Sequence, residues 1–514
     1  MMTNRDFLGR SFHKFESNYK SDILDIRISN HNVWQIVKFP LFMQFVKPDE
    51  NSKARVQKSD SLRKRIHLQI VKIYDFLLLV FSFLSLFRKR IFKGNLAVFY
   101  TNSGDKLSRD EKGAYYNFLT DAFITEGLVE DYLYMEKSLG GDFRKPSPIE
   151  IDLKLDRLYP LHFIFRFLLI TKRKLIFAQA LRLEQILKAH FKSEQREFNF
   201  SNSDVIRIIN SFFLEYWVAI VLLKITRPSI LFCSEQTGCG LLGAANSLGV
   251  KSIDLQHGII DQHHPQYTFS AKLNDSQNSF SLPTYLGVFG SLHKDILRAN
   301  GFWNDNKIIT LGSARMFFNR NKTNGYKKQI SFRKKNVLIP TQYTVFPEIL
   351  MLLNRLKEES LEFKLILKLH PLEPNSNIIS YRRFASEYPG FIEVVECDVD
   401  IYQIISEAHV VIGFDSAVLL ESVSLFRPTF TIGTPSAPRG VHEFFSEMGL
   451  EAIIRIIPIN NIDLLSEVLR DLLANSNFYT DQIKEMTYWG NRLYAPDYLG
   501  NCKRFLSEAI VKRK

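Results

Sequence analysis

The chain reads as an α/β protein of two Rossmann-like domains facing a central cleft, preceded by a mainly helical, basic N-terminal extension. Three observations predict this. Short, continuously apolar runs alternate with helical patterns from about residue 228 onward, as parallel strands covered on both faces require. A hydrophilic stretch without a single acid, Asn319–Lys335, divides that alternation into two series. The positive charge is concentrated at one end: of a net +13, residues 1–93 carry +10, from 18 Lys and Arg against 8 Asp and Glu. A length of 514 residues accommodates two to four domains.

Residues 1–93 form the extension, with polar, basic Asn51–Arg65 as an exposed connector. Its most apolar run, Phe76–Phe87 (FLLLVFSFLSLF), has 12 residues, where a spanning helix needs about 20, and it ends in Arg88-Lys89-Arg90. A second apolar segment, Leu161–Phe177, carries Arg166, Lys172, Arg173 and Lys174. Apolar helices edged with Lys and Arg suit the plane of an anionic bilayer surface. A buried core helix with its basic end in water is the alternative for both.

The first Rossmann-like domain is expected at 94–318. NLAVFYTNSGD (95–105) is a strand running into a turn, and helical patterns fill most of 107–225. PSILFCSEQTG (228–238) is a strand ending in a polar loop. GLLGAANSLG (240–249) is a helix whose small residues allow close packing on a sheet. Val250–Gln256, Leu286–Phe289 and IITLGSAR (308–315) supply further strands. Residues 319–335 are the linker. The second domain, 336–479, runs through strand NVLIP (336–340), helix 346–359, strand FKLILKLHP (363–371), a helix near 378–387, and strand FIEVVE (391–396). Helix 400–408, strand HVVIGF (409–414), helix 416–426 and strand PTFTIG (428–433) complete it. A helical segment, 480–514, packs back across the first domain.

Composition narrows the function classes. Hydrophobic residues at 46% and charged residues at 24% describe a globular chain. Zinc-finger spacing, RNP-type motifs and heptads following a basic region are missing, so nucleic acid is not an expected partner. The four cysteines, Cys233, Cys239, Cys397 and Cys502, have no CxxC spacing, which argues against structural zinc and a disulfide framework. The N-terminus shows no apolar signal core, so a cytoplasmic location is expected.

Ligands of open parallel sheets bind beyond the carboxyl ends of the strands, which ranks the polar residues found there. His370-Pro371 ends one strand, and its imidazole can donate to a phosphate oxygen. Asp415-Ser416-Ala417 links a strand to a helix that carries Glu421. Backbone N–H groups at such a helix start suit a phosphate, and an ordinary N-cap role for Asp415 or Ser416 is the alternative. Glu235 ends the strand of CSEQTG and is the candidate base, with a cap or surface ion pair as the other reading. His257 and Asp261 are the runners-up. HGIIDQHHP holds His257, Asp261, His263 and His264, all ligand types, in a spacing that matches no metal signature, so no metal is expected. Arg315 is a phosphate or acceptor contact, or a structural ion pair.

KLHP, then IYQIISEAHVVIG, then DSAVLLES, in this order, resembles the C-terminal domain of the GT-B glycosyltransferases that make bacterial surface polysaccharides. That group includes capsule Kdo transferases, polysialyltransferases and CDP-glycerol glycerophosphotransferases. VLIPTQ (337–342), LQHG (255–258) and LGSAR (311–315) are similar to further elements of it. The resemblance spans about 228–435, and Asp415-Ser416 stands where the family often has two serines.

The resemblance implies that His370 and Ser416 bind donor phosphates and that Glu421 lies near the ribose or sugar. Thr341 and Gln342 would line the nucleotide cleft, with Pro371, Asp415 and Ala417 beside them. His257 and Gly258 would face the crevice from the N-terminal, acceptor domain. The implied partners are a nucleotide-sugar donor, CMP- or CDP-linked before UDP-linked, and a saccharide or lipid-linked acceptor. No cofactor is expected, and an anionic membrane surface is a further partner, placing the chain on the inner face of the cytoplasmic membrane. A non-hydrolysing nucleotide-sugar epimerase and an inactive scaffold of the same fold stay open as alternatives.

Overall fold

The computed structural model describes residues 4–46, 96–106, 108–109, 113–138, 142–196, 200–324, 335–358, 363–414, 416–434, 455–458 and 461–510. Phe76–Phe87, Asn51–Arg65 and Asp415 lie outside the described residues. The chain divides into two compact units.

The larger unit comprises Asn4–Val288, His293–Leu311 and Leu499–Lys514. Its sheet contains β1 (Ala97–Asn102), β2 (Tyr132–Lys137), β3 (Leu153–Lys154), β4 (Ile230–Ser234), β5 (Ser252–Leu255), β6 (Tyr285–Val288) and β7 (Ile308–Thr310). The spatial order is β7-β6-β5-β4-β1-β2-β3, with every pair parallel. That is the Rossmann order 3-2-1-4-5-6 with a seventh strand added, and the order reverses between β1 and β4. Both are central and almost wholly buried, hence their runs of Val, Phe, Ile and Leu without alternation.

The N-terminal residues are not an appendage to this unit. Helices α1 (Asn4–Asn18), α2 (Lys20–Asp25) and α3 (Val33–Val46) share a core with α4 (Tyr159–Ser193) and α5 (Asn202–Thr226). Phe12, Phe15, Trp34 and Val37 are fully buried there against Ala180, Leu183 and Leu187 of α4. Lys38 and Glu16 pair at 2.7 Å inside that core, and Glu16 also accepts from Trp34 Nε1 at 2.8 Å and Ser270 N at 2.7 Å. Two of the charges that make this end look like a solvated basic tail are therefore buried in a pair.

The helical reading of 107–225 holds from α4 onward, and before it for the short helix Asp121–Thr125. Before α4 also lie β2, β3 and a two-strand ribbon of Ser108–Arg109 with Tyr115–Tyr116. YLYMEK is short and aromatic-rich, and pairing along the whole of β1 overrides any helical pattern. α5 opens with a capping box between Ser201 and Asp204. Among the described residues it is the one helix long and apolar enough, by length and composition, to cross a membrane. Its buried residues serve two cores: Val205, Ile209, Phe212 and Phe213 one, Val218, Leu222 and Leu223 the other. The small residues of α6 (Gly240–Ser247) admit α5: a Cβ on Gly240 would lie 2.5 Å from both Phe212 O and Tyr216 N.

The second unit comprises Phe289–Leu292 and Gly312–Tyr498 among the described residues. Its strands are β8 (Asn336–Pro340), β9 (Lys364–Lys368), β10 (Ile392–Val395), β11 (Val410–Gly413), β12 (Thr429–Gly433) and β13 (Arg455–Pro458). They are ordered β10-β9-β8-β11-β12-β13, all parallel, which is again 3-2-1-4-5-6.

The expected linker begins as helix: α7 (Ala314–Asn324) carries residues 319–324. Arg320 is buried there. Its Nε donates to Ser424 O at 2.8 Å, Nη1 to Tyr494 O at 2.9 Å and Nη2 to Gly490 O at 2.6 Å. An arginine that reads as linker charge is thus a structural tie. The expected C-terminal segment divides: the helix Ser476–Leu493 belongs to the second unit, whereas Leu499 onward joins the first. There Asn501 Nδ2 donates to Leu311 O at 3.3 Å, and Phe505 meets Tyr285 edge to face.

Candidate functional site

In the larger unit the order reversal brings three strand ends together. A short 3-10 turn after β1 (Ser103–Asp105) carries Asp105, the residue after β4 is Glu235, and the loop after β5 holds His257. His257 lies between the two acids, Nδ1 at 3.4 Å from Glu235 Oε1 and Nε2 at 3.5 Å from Asp105 Oδ1. Its ring also leans on Phe118 at 5.8 Å.

The two carboxyls differ in environment. Asp105 is 17% exposed and burial raises its pKa to about 6, with His257 opposing the rise and Glu235 adding to it. Glu235 is 48% exposed, and the hydrogen bond from His257 holds it below its ordinary value despite partial burial. One acid is therefore retained as a carboxylate facing solvent while the other tends toward the protonated form behind the imidazole.

The backbone that presents Glu235 is itself unusual. Its φ is +53°, a left-handed conformation costly for a residue with a Cβ. Buried Asp254 holds the turn, accepting from Gln236 N at 3.1 Å, Thr237 N at 2.9 Å and Thr237 Oγ1 at 2.7 Å. On the other side, Lys106 is buried with Glu136 (2.5 Å) and Ser147 Oγ (2.9 Å), fixing the chain next to Asp105.

The remaining predicted residues of this unit are placed differently. Gly258 is exposed with open space around it, and its carbonyl accepts from Gln256 Nε2 at 2.7 Å. Asp261 closes a local turn, accepting from His263 N at 2.9 Å. His263 packs against His13 of α1 and His264 against Tyr267. Among the described residues no three His, Cys, Asp or Glu side chains are arranged to hold a metal ion.

In the second unit, Thr341 follows β8 and His370 follows β9. Thr341 Oγ1 accepts from His370 N at 2.9 Å and donates to Glu373 Oε2 at 2.9 Å. Leu372 N donates to His370 Nδ1 at 3.0 Å. Burial holds the imidazole below its ordinary pKa, so the neutral ring carries its proton on Nε2 and offers a donor there. Asn377 Nδ2 fixes Glu373 from the other side at 2.9 Å, and Tyr343 lies 5.9 Å from the His370 ring. Gln342 follows Thr341 and is half-buried, and Pro371 is exposed.

Ser416 takes the role read as its alternative: it caps α8 (Ala417–Ser424), its Oγ accepting from Val418 N at 3.3 Å, with Ala417 exposed beside it. Glu421 is tied into this unit. It accepts from Tyr402 OH at 2.7 Å and lies 3.8 Å from Arg315 Nη1. Arg315 sits on α7 in the same unit and stacks 4.5 Å over Tyr402. This is the structural ion pair named as its alternative, and it moves Arg315 out of the 94–318 domain.

Asp105, Glu373 and Tyr343 escaped the sequence reading. Asp105 sits at the end of a recognised strand, next to the turn residues Asn, Ser and Gly, and strand-end position alone flags it. Glu373 becomes functional in appearance only through its contact with Thr341.

No family model matches the chain, and no curated protein does. Solved structures resemble it weakly. A UDP-GlcNAc 2-epimerase from Neisseria meningitidis bound to UDP-GlcNAc has a TM-score of 0.46 at 11% identity, covering 81% of this chain and 99% of its own. A glycosyltransferase from Rickettsia africae has 0.44 at 10%, covering 82% and 100%. The wall teichoic acid polymerase TagF has 0.42 at 12%, covering 86% and 97%. Likeness of this size carries no argument about activity. What defines the chain is its own geometry, a pair of Rossmann-order α/β units, each with a histidine at its strand ends.

Proposed function

We propose that the chain is a GT-B-type glycosyltransferase that moves a sugar, or sugar-like unit, from a nucleotide-activated donor to a lipid-linked or growing surface saccharide. The observation that carries this reading is the Asp105–His257–Glu235 cluster at the switch point of one Rossmann-order sheet. The Nε2–H donor of His370 beside the switch point of the other sheet supports it.

The chemistry follows from these groups. Glu235, exposed and held as a carboxylate, accepts the proton of the acceptor hydroxyl. The freed oxygen attacks the anomeric carbon, and the bond from that carbon to the donor phosphate breaks. The leaving nucleotide takes the electron pair; in the second unit, taken by itself, His370 and the N–H groups at the start of α8 are donors suited to a phosphate charge. His257 holds Glu235 in place, and Asp105 behind it settles the imidazole proton. CMP- or CDP-linked donors are the first choice by resemblance, UDP-linked donors the second.

Thermal-shift titration with CMP, CDP, UDP, GDP and TDP, on wild type and His370→Ala, tests the donor site. One nucleotide should stabilise wild type and not the variant. Product analysis with the matching nucleotide-sugar follows, using Glu235→Gln, which should lower transfer by about 10²–10⁴ and keep nucleotide binding. Failure of every nucleotide to bind overturns the reading. Conversion of the donor to an epimer without acceptor replaces it with the epimerase.

A further inference from the structure

α4 shows a surface unlike the rest of the molecule. Of fourteen large hydrophobic residues exposed among the described residues, eight lie on this one helix. Phe163, Phe167, Ile170, Phe177 and Leu181 recur at spacings of 4, 3, 7 and 4, which is one face of a 3.6-residue repeat. Phe163 is 60% exposed, Phe167 64%, Ile170 67% and Phe177 52%. Ile164, Leu168 and Leu175 form a second exposed row beside them. The stripe from 163 to 181 runs for about 27 Å along the helix axis.

The opposite face of α4 is a normal core face. Ile176, Ala180, Leu183 and Leu187 are buried against the α1–α3 cluster. The exposed row is therefore not a helix waiting for its core. It is a second apolar face on a helix whose inward face is already satisfied. A contiguous exposed apolar surface of this kind marks an interaction site.

Charge names the partner. From Arg157 to Leu183 the sequence has no Asp or Glu, and it has six Lys and Arg: Arg157, Arg166, Lys172, Arg173, Lys174 and Arg182. Lys172 is committed to Ser29 Oγ at 2.8 Å and Arg182 to Asp22 at 3.0 Å. Arg166, Arg173 and Lys174 are exposed, with Lys174 within the apolar stripe and the two arginines along one edge. Long cationic side chains beside a Phe/Leu/Ile face match a surface that is apolar below and anionic above.

We infer that the outward face of α4 docks the protein in-plane on an anionic lipid bilayer, with Phe167, Ile170 and Phe177 entering the headgroup–acyl boundary and Arg166, Arg173 and Lys174 meeting lipid phosphates. The inference is independent of the reaction proposed above, since vesicle binding needs no nucleotide. An acceptor carried on lipid would meet the enzyme at that surface.

The test is flotation of the full chain with phosphatidylcholine vesicles, with and without phosphatidylglycerol. Wild type should float with the anionic vesicles only and be released by high salt. Phe167→Ser/Ile170→Ser/Phe177→Ser should weaken partitioning by at least about tenfold. Arg166→Glu/Arg173→Glu/Lys174→Glu should abolish the preference for anionic lipid. All six positions are exposed, so both variants should keep the wild-type circular dichroism melt, which separates lost docking from lost fold. Vesicle binding equal to wild type in both variants overturns the inference, as does a wild type that fails to float. A wild-type dimer that the apolar variant splits, without vesicle binding, assigns the face to a second copy and overturns it too.

Discussion

Replacing Asp105 by Asn should stabilise the protein at alkaline pH and slow the proposed transfer. Asp105 is buried beside His257, and its folded pKa is about 6, against about 3.9 for an unperturbed aspartate. A raised carboxyl pKa adds its full share of stability only below the unfolded value, and the share is lost as pH rises through the folded one. The loss builds between about pH 4 and pH 6 and is complete above about pH 7. Two pKa units correspond to about 3 kcal/mol. Asn cannot ionise and keeps similar volume, so Asp105→Asn should recover up to about 3 kcal/mol at pH 8. Spread over a unit of roughly 300 residues, that is a rise in Tm of about 5 °C. Near pH 4.5 most of the difference should vanish, because wild-type Asp105 is then protonated. Paired thermal melts of wild type and variant at the two pH values measure it. A variant less stable than wild type at pH 8, or a difference that does not change with pH, would refute the argument that burial raises this carboxyl. The same variant should slow the proposed transfer, because an amide cannot titrate beside the imidazole and settle its proton as the carboxyl does.

Two other substitutions probe what holds each unit together. Lys38→Met removes the partner of fully buried Glu16 and should cost about 3–5 kcal/mol, whereas Lys38→Met with Glu16→Gln should regain a good part of it. Denaturant unfolding of the two variants checks it, and equal losses would refute it. Arg320→Leu removes a buried donor from the carbonyls of Ser424, Tyr494 and Gly490, of which Gly490 keeps Tyr494 N, and should cost about 3 kcal/mol by the same measurement. Arg320→Lys should recover only part, since an ammonium cannot reproduce the three-way fork.

The strands of both sheets were legible because a buried parallel strand must be apolar on both faces. ILFCS, NVLIP, KLILK and VVIG could hardly be anything else. YLYMEK was harder, since its Tyr, Met and Glu suit a helix equally until β1 is there to pair with it. The N-terminal core was illegible for a physical reason: α1 and α3 bury Glu16 and Lys38 as a pair, and net charge counts a neutralised pair and two solvated ions alike. Arg320 misled in the same way, because three carbonyl acceptors are invisible in sequence.

The site followed a similar divide. Position alone names Glu235, His257 and His370 as candidates, as polar residues where apolar strands stop. It does not name their partners, because contact between strand ends depends on strand order, and order is a property of the whole sheet. Asp105 and Glu235 are 130 positions apart in the chain yet flank the same imidazole, because β1 and β4 are neighbours. Had the strands been laid down in sequence order, β1 and β4 would not be adjacent and the two acids could not both reach His257. The chemistry of this cluster is thus a consequence of the order reversal as much as of the residue types. The left-handed turn at Glu235 belongs to the same logic. It bends the chain off β4 at once, and Asp254 of the adjoining strand holds it there.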